Sequence, residues 1–329
     1  MLHEFRFANL RVLALMVLAG CASSTTTATS SSSTSTTTTT GSGAVSLTAL
    51  PIGDGKVSSS PQAGYVYSCQ TTFNGGGAST VGPWVNSAAG TFDFTAKSVV
   101  AGSVAWPTAS FTIALNASGT ARNVSTNDLP NHNTGTFPIS STDPAYKYDQ
   151  NPNHIGSQAI LYSLNANPTL GTRTCLPMGP IGITLTGSLL FNALDAAGRD
   201  AVAHEVQDLC QGHPDQSSEY HYHSLTNCLA DPGTGHSNLL GYALDGFGIY
   251  GVRGENGQVL TNADLDVCHG HTHSITWNGQ VVSMYHYHAT YEYPYTIGCF
   301  QGTAAKALFQ IGELQPHSHA HTHGGTQKP

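Results

Sequence analysis

Met284-Tyr285-His286-Tyr287-His288, with its earlier copy Glu219-Tyr220-His221-Tyr222-His223, is the stretch whose reading decides the fold. Successive side chains of a strand point to opposite faces, so each Tyr-His-Tyr-His run sets two imidazoles on one side and two phenols on the other. Two neighbouring neutral imidazoles are half of a transition-metal site.

The copies extend well beyond four letters. Asp208-Leu-Cys210-Gln-Gly212-His213 precedes the first run and Asp266-Val-Cys268-His-Gly270-His271 the second, one Asp-x-Cys-x-Gly-His pattern. Each unit then closes on another cysteine, Cys228 and Cys299. Upstream, Gly182-Ile-Thr-Leu185-Thr-Gly187 aligns with Gly241-Tyr-Ala-Leu244-Asp-Gly246. Residues 181–228 and 240–299 therefore read as an internal duplication, expected to pack about a pseudo-two-fold axis.

Trp277-Asn278-Gly279-Gln280 carries the strongest local signal, because Asn-Gly between strand-like flanks is the preferred two-residue hairpin turn. The register it sets pairs Trp277 with Gln280, Ile275 with Val282, His273 with Met284, His271 with His286 and His269 with His288. Five histidines then share one face with Trp277, Ile275, Val282 and Met284. Ser274, Thr272, Ser283, Tyr285 and Tyr287 fall on the other. A partly desolvated histidine cluster favours neutral imidazoles and metal coordination. A bulge near Gly270 would rotate His269 or His271 out of the cluster. In the first unit the matching residues are Gln211, His213 and Asp215, with His221 and His223 in the run, a poorer set of ligands, so the duplication predicts one better site or one shared site.

Seven cysteines include Cys21 of Leu18-Ala19-Gly20-Cys21, a lipobox at the end of a short export signal over residues 1–21, with Arg6 and Arg11 ahead of the apolar run Val12 to Leu18. Lipidation of Cys21 would make the bilayer a partner. Ala22 after it, rather than Asp, favours the outer membrane in a Gram-negative host and the cell surface otherwise. Residues 22–60 are expected to be a Ser/Thr-rich disordered tether, residues 61–315 a β domain, and residues 316–329 a His-rich disordered tail. The remaining six cysteines pair within the repeats as Cys210–Cys228 and Cys268–Cys299, leaving Cys69–Cys175. The rival reading makes Cys210 and Cys268 thiolate ligands.

Only 9% of residues are charged, and 11 Lys and Arg stand against 19 Asp and Glu. Such a chain has no basic surface for phosphate backbones, which argues against a nucleic-acid partner. Tyr65–Tyr67, Thr91–Phe94, Ser98–Trp106 and Ser110–Leu115 read as strands, while His132 and His154 lie in Asn- and Pro-rich loops. Asp200–Leu209 is the one convincing short helix, and Asn262–Asp266 the matching capped turn. The expected class is mainly β: a compact sandwich or barrel-like domain with few short helices.

These residues resemble the YHYH domain family, through both runs, Leu244-Asp-Gly-Phe-Gly-Ile-Tyr-Gly251, Cys268-His-Gly-His271 and Tyr293-Pro-Tyr-Thr-Ile-Gly-Cys-Phe300. Gly248 departs from the proline expected there. The resemblance implies an exported or surface-anchored protein and no particular reaction.

Three functions compete. The first is an extracytoplasmic protein binding copper or zinc through His286, His288 and His271, joined by His221 and His223 or by His269 or His273. Asp208 and Asp266 would then orient ligating imidazoles, or else cap turns beside the disulfides. Asp245, matched by Thr186 in the other unit, would serve something beyond symmetry. The second is a hydrolytic or redox metalloenzyme with Asp245 or Glu292 beside a metal-bound water. The third is a metal-free structural or adhesive surface module.

Overall fold

The computed structural model describes residues 45–310 apart from 79, 232 and 308. The expected export signal with Cys21, the tether up to residue 44 and the His-rich tail lie outside the described residues.

Short strands come first: β1 (Leu50–Pro51), β2 (Val57–Ser58), β3 (Val66–Tyr67), β4 (Val85–Asn86) and β5 (Thr91–Phe92). Longer ones follow, β6 (Phe111–Leu115), β7 (Ala121–Thr126) and β8 (Ile160–Asn165). The first repeat unit holds β9 (Pro180–Thr184), β10 (Leu189–Phe191), β11 (Gly212–Pro214) and β12 (Tyr220–Tyr222). The second holds β13 (Leu239–Ala243), β14 (Gly248–Tyr250), β15 (Gly270–Trp277) and β16 (Gln280–His288), and β17 (Phe309–Gln310) ends the described chain.

Both units join in one eight-stranded sheet of order β11-β12-β10-β9-β13-β14-β16-β15. Read outward from the β9/β13 seam, the two halves repeat the same sequence of strands. The seam pairs Gly182 with Ala243, Ile183 with Tyr242 and Thr184 with Gly241. Since Gly182 corresponds to Gly241, this is the register a local two-fold through Ile183 and Tyr242 requires. The seam is close: a Cβ on Gly241 would stand 2.3 Å from the Ile183 carbonyl oxygen, and one on Gly182 would stand 2.9 Å from that of Tyr242. Glycine at both positions lets the backbones meet.

Within each unit the Tyr-His-Tyr-His strand runs parallel to the strand nearer the seam and antiparallel to the outer one. Leu190 pairs with Tyr222 in the first unit, and Ile249 with Tyr287 in the second. The outer hairpin of the second unit follows the expected register from Trp277–Gln280 through His271–His286. It ends one residue before His269, which adopts a positive φ of 76°.

A second sheet of order β17-β8-β7-β6 makes the body sandwich-like. It meets the second unit where the Trp277 indole donates to the Ala166 carbonyl at 2.9 Å. There the Arg122 guanidinium also lies 4.3 Å from the Tyr242 ring centroid. The architecture is mainly β, and it is an open sheet rather than a closed barrel.

Three local expectations change. The helix spans only Ala201–His204, and Glu205 is already extended (φ −82°, ψ 151°). The apolar spacing that suggested a longer helix fails at Leu209, which is 72% exposed, whereas Val206 is buried with its N–H on the Asp149 carboxylate. Ser98–Trp106 contributes isolated bridges at Val100 and Val104 rather than a strand. Residues 45–60, expected in the tether, belong to the folded body. Leu50 is buried in β1 opposite Phe92, and Val45, Leu47, Ile52 and Val57 pack against the core.

Candidate metal centres

Alternation along β12 and β16 separates two kinds of chemistry. On one face the phenols are anchored in matched pairs. Tyr220 donates to Asp208 at 2.9 Å and Tyr285 to Asp266 at 2.9 Å. The Tyr222 hydroxyl lies 2.9 Å from Thr186 Oγ1, and Tyr287 donates to Asp245 at 2.6 Å. Burial pushes all four phenols up, so they remain neutral donors.

The same carboxylates hold turns. Asp208 accepts the Cys210, Gly212 and Gly135 amides. Asp266 accepts those of Cys268 and Gly270, and Asp245 accepts those of Gln301 and Gly302. Burial pushes Asp245 up to about 6. Asp208, Asp245 and Asp266 therefore do not orient the histidines. A side-chain period of two puts Tyr and His on opposite faces, and the three aspartates lie on the tyrosine face.

On the imidazole face of the second unit, His236, His273, His286 and His288 bring ring nitrogens within 4.8 Å of one another. His286 Nε2 stands 3.0 Å from His273 Nε2 and 3.2 Å from His288 Nε2. The His271 ring centroid is 5.0 Å from that of His286 and 4.8 Å from that of His288.

The far nitrogen of each ring in the group is tied to a backbone carbonyl. His286 Nδ1 donates to Met284 at 3.0 Å, and His288 Nδ1 to Gly251 at 2.6 Å. His273 Nδ1 donates to Ser274 at 3.0 Å, and His236 Nδ1 to Ser237 at 2.8 Å. A carbonyl only accepts, so each Nδ1 carries the proton and each neutral ring turns a bare Nε2 lone pair toward the others. Lone pairs at 3.0–3.2 Å repel unless a cation lies between them.

Protonation is a poor source of that cation. Burial, with the neighbouring imidazoles adding to it, holds His286 down to about 3 and His288 to about 2. His236 and His271 are also lowered by burial, and their Nε2 atoms have no hydrogen-bond partner among the described residues. An ion with ~2.1 Å bonds in a tetrahedron sets its donor nitrogens ~3.4 Å apart, close to the spacing here. Imidazole suits copper and zinc among others.

The first unit forms a separate cluster. His213, His221 and His223 converge, all buried, with His221 Nε2 3.1 Å from His223 Nε2. His221 Nδ1 donates to the Glu219 carbonyl at 3.1 Å, and His223 Nδ1 to that of Asn192. Phe191 stacks on His221 at 3.9 Å. The Glu205 carboxylate completes the group, 3.5 Å from His213 Nε2 and 3.6 Å from His223 Nε2. Four strands lie between β12 and β16, ~24 Å at ~4.8 Å per step, so the two runs form two separate clusters and not one shared one.

His269 stands outside both clusters. Its positive φ turns the ring so that Nδ1 meets the His288 and Thr296 carbonyls, both at 2.8 Å, and Nε2 lies 3.1 Å from Thr290 Oγ1. Glu292 accepts the Asn262 amide instead of facing a cluster. His132 bonds the Tyr222 hydroxyl at 2.6 Å.

Sequence reasoning passed over three residues. His236 arrives from the loop before β13, Glu205 from the end of the short helix, and Glu255 at the rim, 3.7 Å from His273 Nδ1. None sits in a periodic pattern, so no local signal marked them.

The disulfides are Cys69–Cys175, Cys210–Cys228 and Cys268–Cys299. They remove Cys210 and Cys268 as thiolate ligands and fit an oxidising, extracytoplasmic compartment. No helix among the described residues is long and apolar enough to cross a membrane.

No curated protein and no solved structure matches the chain. A family model described as YHYH protein matches residues 161–261, a stretch that contains the whole first unit and stops before the second Tyr-His-Tyr-His run. Over that stretch the chain is similar to the YHYH family.

Proposed function

We propose that this is an extracytoplasmic protein, lipid-anchored through Cys21, that binds a transition metal of the copper or zinc class at the imidazole cluster of its second unit. The observation that carries the reading is the set of Nδ1–H bonds to the carbonyls of Ser237, Ser274, Met284 and Gly251, which aims four Nε2 atoms at one another. His271 and His273 are only half-buried, so the cluster lies near the sheet edge. An ion there could exchange with its surroundings. An outer-membrane address, in a host that has one, would place the body outside the cytoplasm, a compartment that fits its disulfides.

The test is elemental analysis of the full chain carrying Ala at His317, His319, His321 and His323, since alternating tail histidines chelate metal themselves. After zinc or copper reconstitution and desalting, this protein should retain stoichiometric metal at the second unit. His286→Ala and His288→Ala should each lose it. Metal-free protein after reconstitution would leave only the structural surface module.

A second reading, a metal-dependent hydrolytic or redox enzyme, draws on a shallow cleft of about 680 Å³ beside the cluster. Its lining includes His271, Arg173, Asp266 and Gln301. Asp245 and Glu292 do not serve this reading, because both are engaged elsewhere. Glu255 at the rim, 3.7 Å from His273 Nδ1, is the carboxylate that would serve as base toward a metal-bound water. Turnover of a hydrolysable ester by zinc-loaded protein, lost in Glu255→Gln with zinc retained, would separate enzyme from carrier.

A further inference from the structure

The first unit's cluster differs from the second's in donor chemistry as well as in place. Glu205 enters the group because the chain leaves the helix after His204 in an extended conformation, with its own N–H still bonded to Ala201. Its carboxylate lies beside His213 and His223, and Glu205, His213, His221 and His223 are each at most 1% exposed. The carbonyls of Glu219 and Asn192 hold the Nδ1 protons of His221 and His223, so their Nε2 atoms turn toward each other, and the Glu205 oxygen lies 3.6 Å from that of His223. Distances of 3.1 Å between nitrogens and 3.5–3.6 Å from nitrogen to oxygen are those of neighbouring ligands around one ion.

We propose that the first unit is a second metal site of three imidazoles and one carboxylate, His213, His221, His223 and Glu205. It would take a harder divalent ion, of the manganese(II) or iron(II) class, than the second unit's all-imidazole site. The proposal rests on the same reading of converging Nε2 atoms.

Charge supports the division. A divalent ion in three neutral imidazoles and one carboxylate leaves a net charge of about +1, against about +2 for imidazoles alone. In a fully buried site the lower charge costs less desolvation. Carboxylate oxygen favours manganese, and imidazole favours copper and zinc. Copper still heads the affinity order at either site, so the distinction is whether manganese is held at all.

The probe is manganese(II) alone, added to the full chain with the four tail histidines changed to Ala and followed by electron paramagnetic resonance. One equivalent should bind and show nitrogen couplings from imidazole, a readout on the unaltered site that needs no variant to fold. Glu205→Gln, nearly isosteric, should weaken manganese binding by at least ~10-fold and leave zinc at the second unit unchanged. His286→Ala should leave manganese bound.

Absence of manganese binding at millimolar concentration overturns the proposal, as does manganese lost in His286→Ala but kept in Glu205→Gln. If zinc or copper still occupies the second unit in those cases, the proposed function survives alone. If neither manganese nor zinc nor copper binds, both readings fall.

Discussion

The two halves of the eight-stranded sheet share a skeleton and differ on one face. Tyr220 on Asp208 is repeated by Tyr285 on Asp266, and Tyr222 on Thr186 by Tyr287 on Asp245. The turns after β9 and β13 carry Gly187 and Gly246, both at φ 94°. The phenol face, with its buried hydrogen bonds, is what the duplication had to keep.

The imidazole face was free to diverge. In the first unit, β11 and β12 are three residues each, and their connection is tied by Asp215, which accepts the Ser217 and Glu219 amides. In the second, strands of eight and nine residues carry His273 into reach of His286. A short hairpin buries its histidines beneath a carboxylate; a long one carries His273 into the group nearer the sheet edge. Hairpin length therefore sets how many imidazoles the hairpin itself supplies, and how open they are.

The largest test of this comparison is mechanical. Asp208→Ala would leave a buried phenol and three amides without their charged acceptor, a loss of about 3–5 kcal/mol. The same change at Asp266, whose side chain is 30% exposed, should cost about 1–2 kcal/mol, because water replaces part of what is lost. Urea midpoints of the two variants measure the difference, and equal losses would contradict the unequal burial of the halves.

Ligand removal comes next. His286→Ala should lower zinc affinity roughly 100-fold or more, with the first unit's cluster unaffected, since ~24 Å separates them. Competition with a coloured chelator reads the change. A drop at both sites from one substitution would mean that the clusters are coupled.

Acid sensitivity of the metal-free protein has a definite sign. His286 and His288 titrate in the fold at about 3 and about 2 because burial disfavours their charged forms. The unfolded chain takes up those protons near 6.5, so it binds more of them throughout the interval. Stability of the metal-free protein is then full above pH ~6.5 and falls as the pH drops toward 3, by up to about 1.4 kcal/mol per unit for each histidine. Thermal midpoints across that range should show the slope, and His286→Gln/His288→Gln should flatten it.

The smallest effect is expected at His269. Its counterpart in the first unit, Gln211, adopts the same left-handed backbone, φ 65° against 76°. His269→Gln should therefore keep the metal content unchanged and cost about 1 kcal/mol from lost carbonyl bonds. Loss of an equivalent of metal in this variant would return His269 to the ligand set.

Much of this was legible in residue order because the signals are local or repeated. Asn278-Gly279 sets the hairpin register by turn geometry, and that register held from Trp277 to His271. The repeated Asp-x-Cys-x-Gly-His pattern, each copy closed by a later cysteine, carried the pairing of Cys210 with Cys228 and Cys268 with Cys299. Alternation in Tyr-His-Tyr-His by itself separates phenols from imidazoles. Asp200–Leu209 misled for the same reason, since apolar spacing says nothing of the Asp149 carboxylate that captures the Val206 amide and helps hold the chain extended.

The amino-acid order by itself determined a doubled β unit, its disulfides and two imidazole-bearing strands, because each is written in short-range pattern. Only the tertiary structure decided that the units meet through Gly182 and Gly241, which sets the histidine runs far apart as two sites. It also decided that Glu205 and His236 join them, and that Asp208, Asp245 and Asp266 serve the tyrosines. Those outcomes depend on which distant segments pack together, and the free energy of burying and pairing them is not contained in any local spacing.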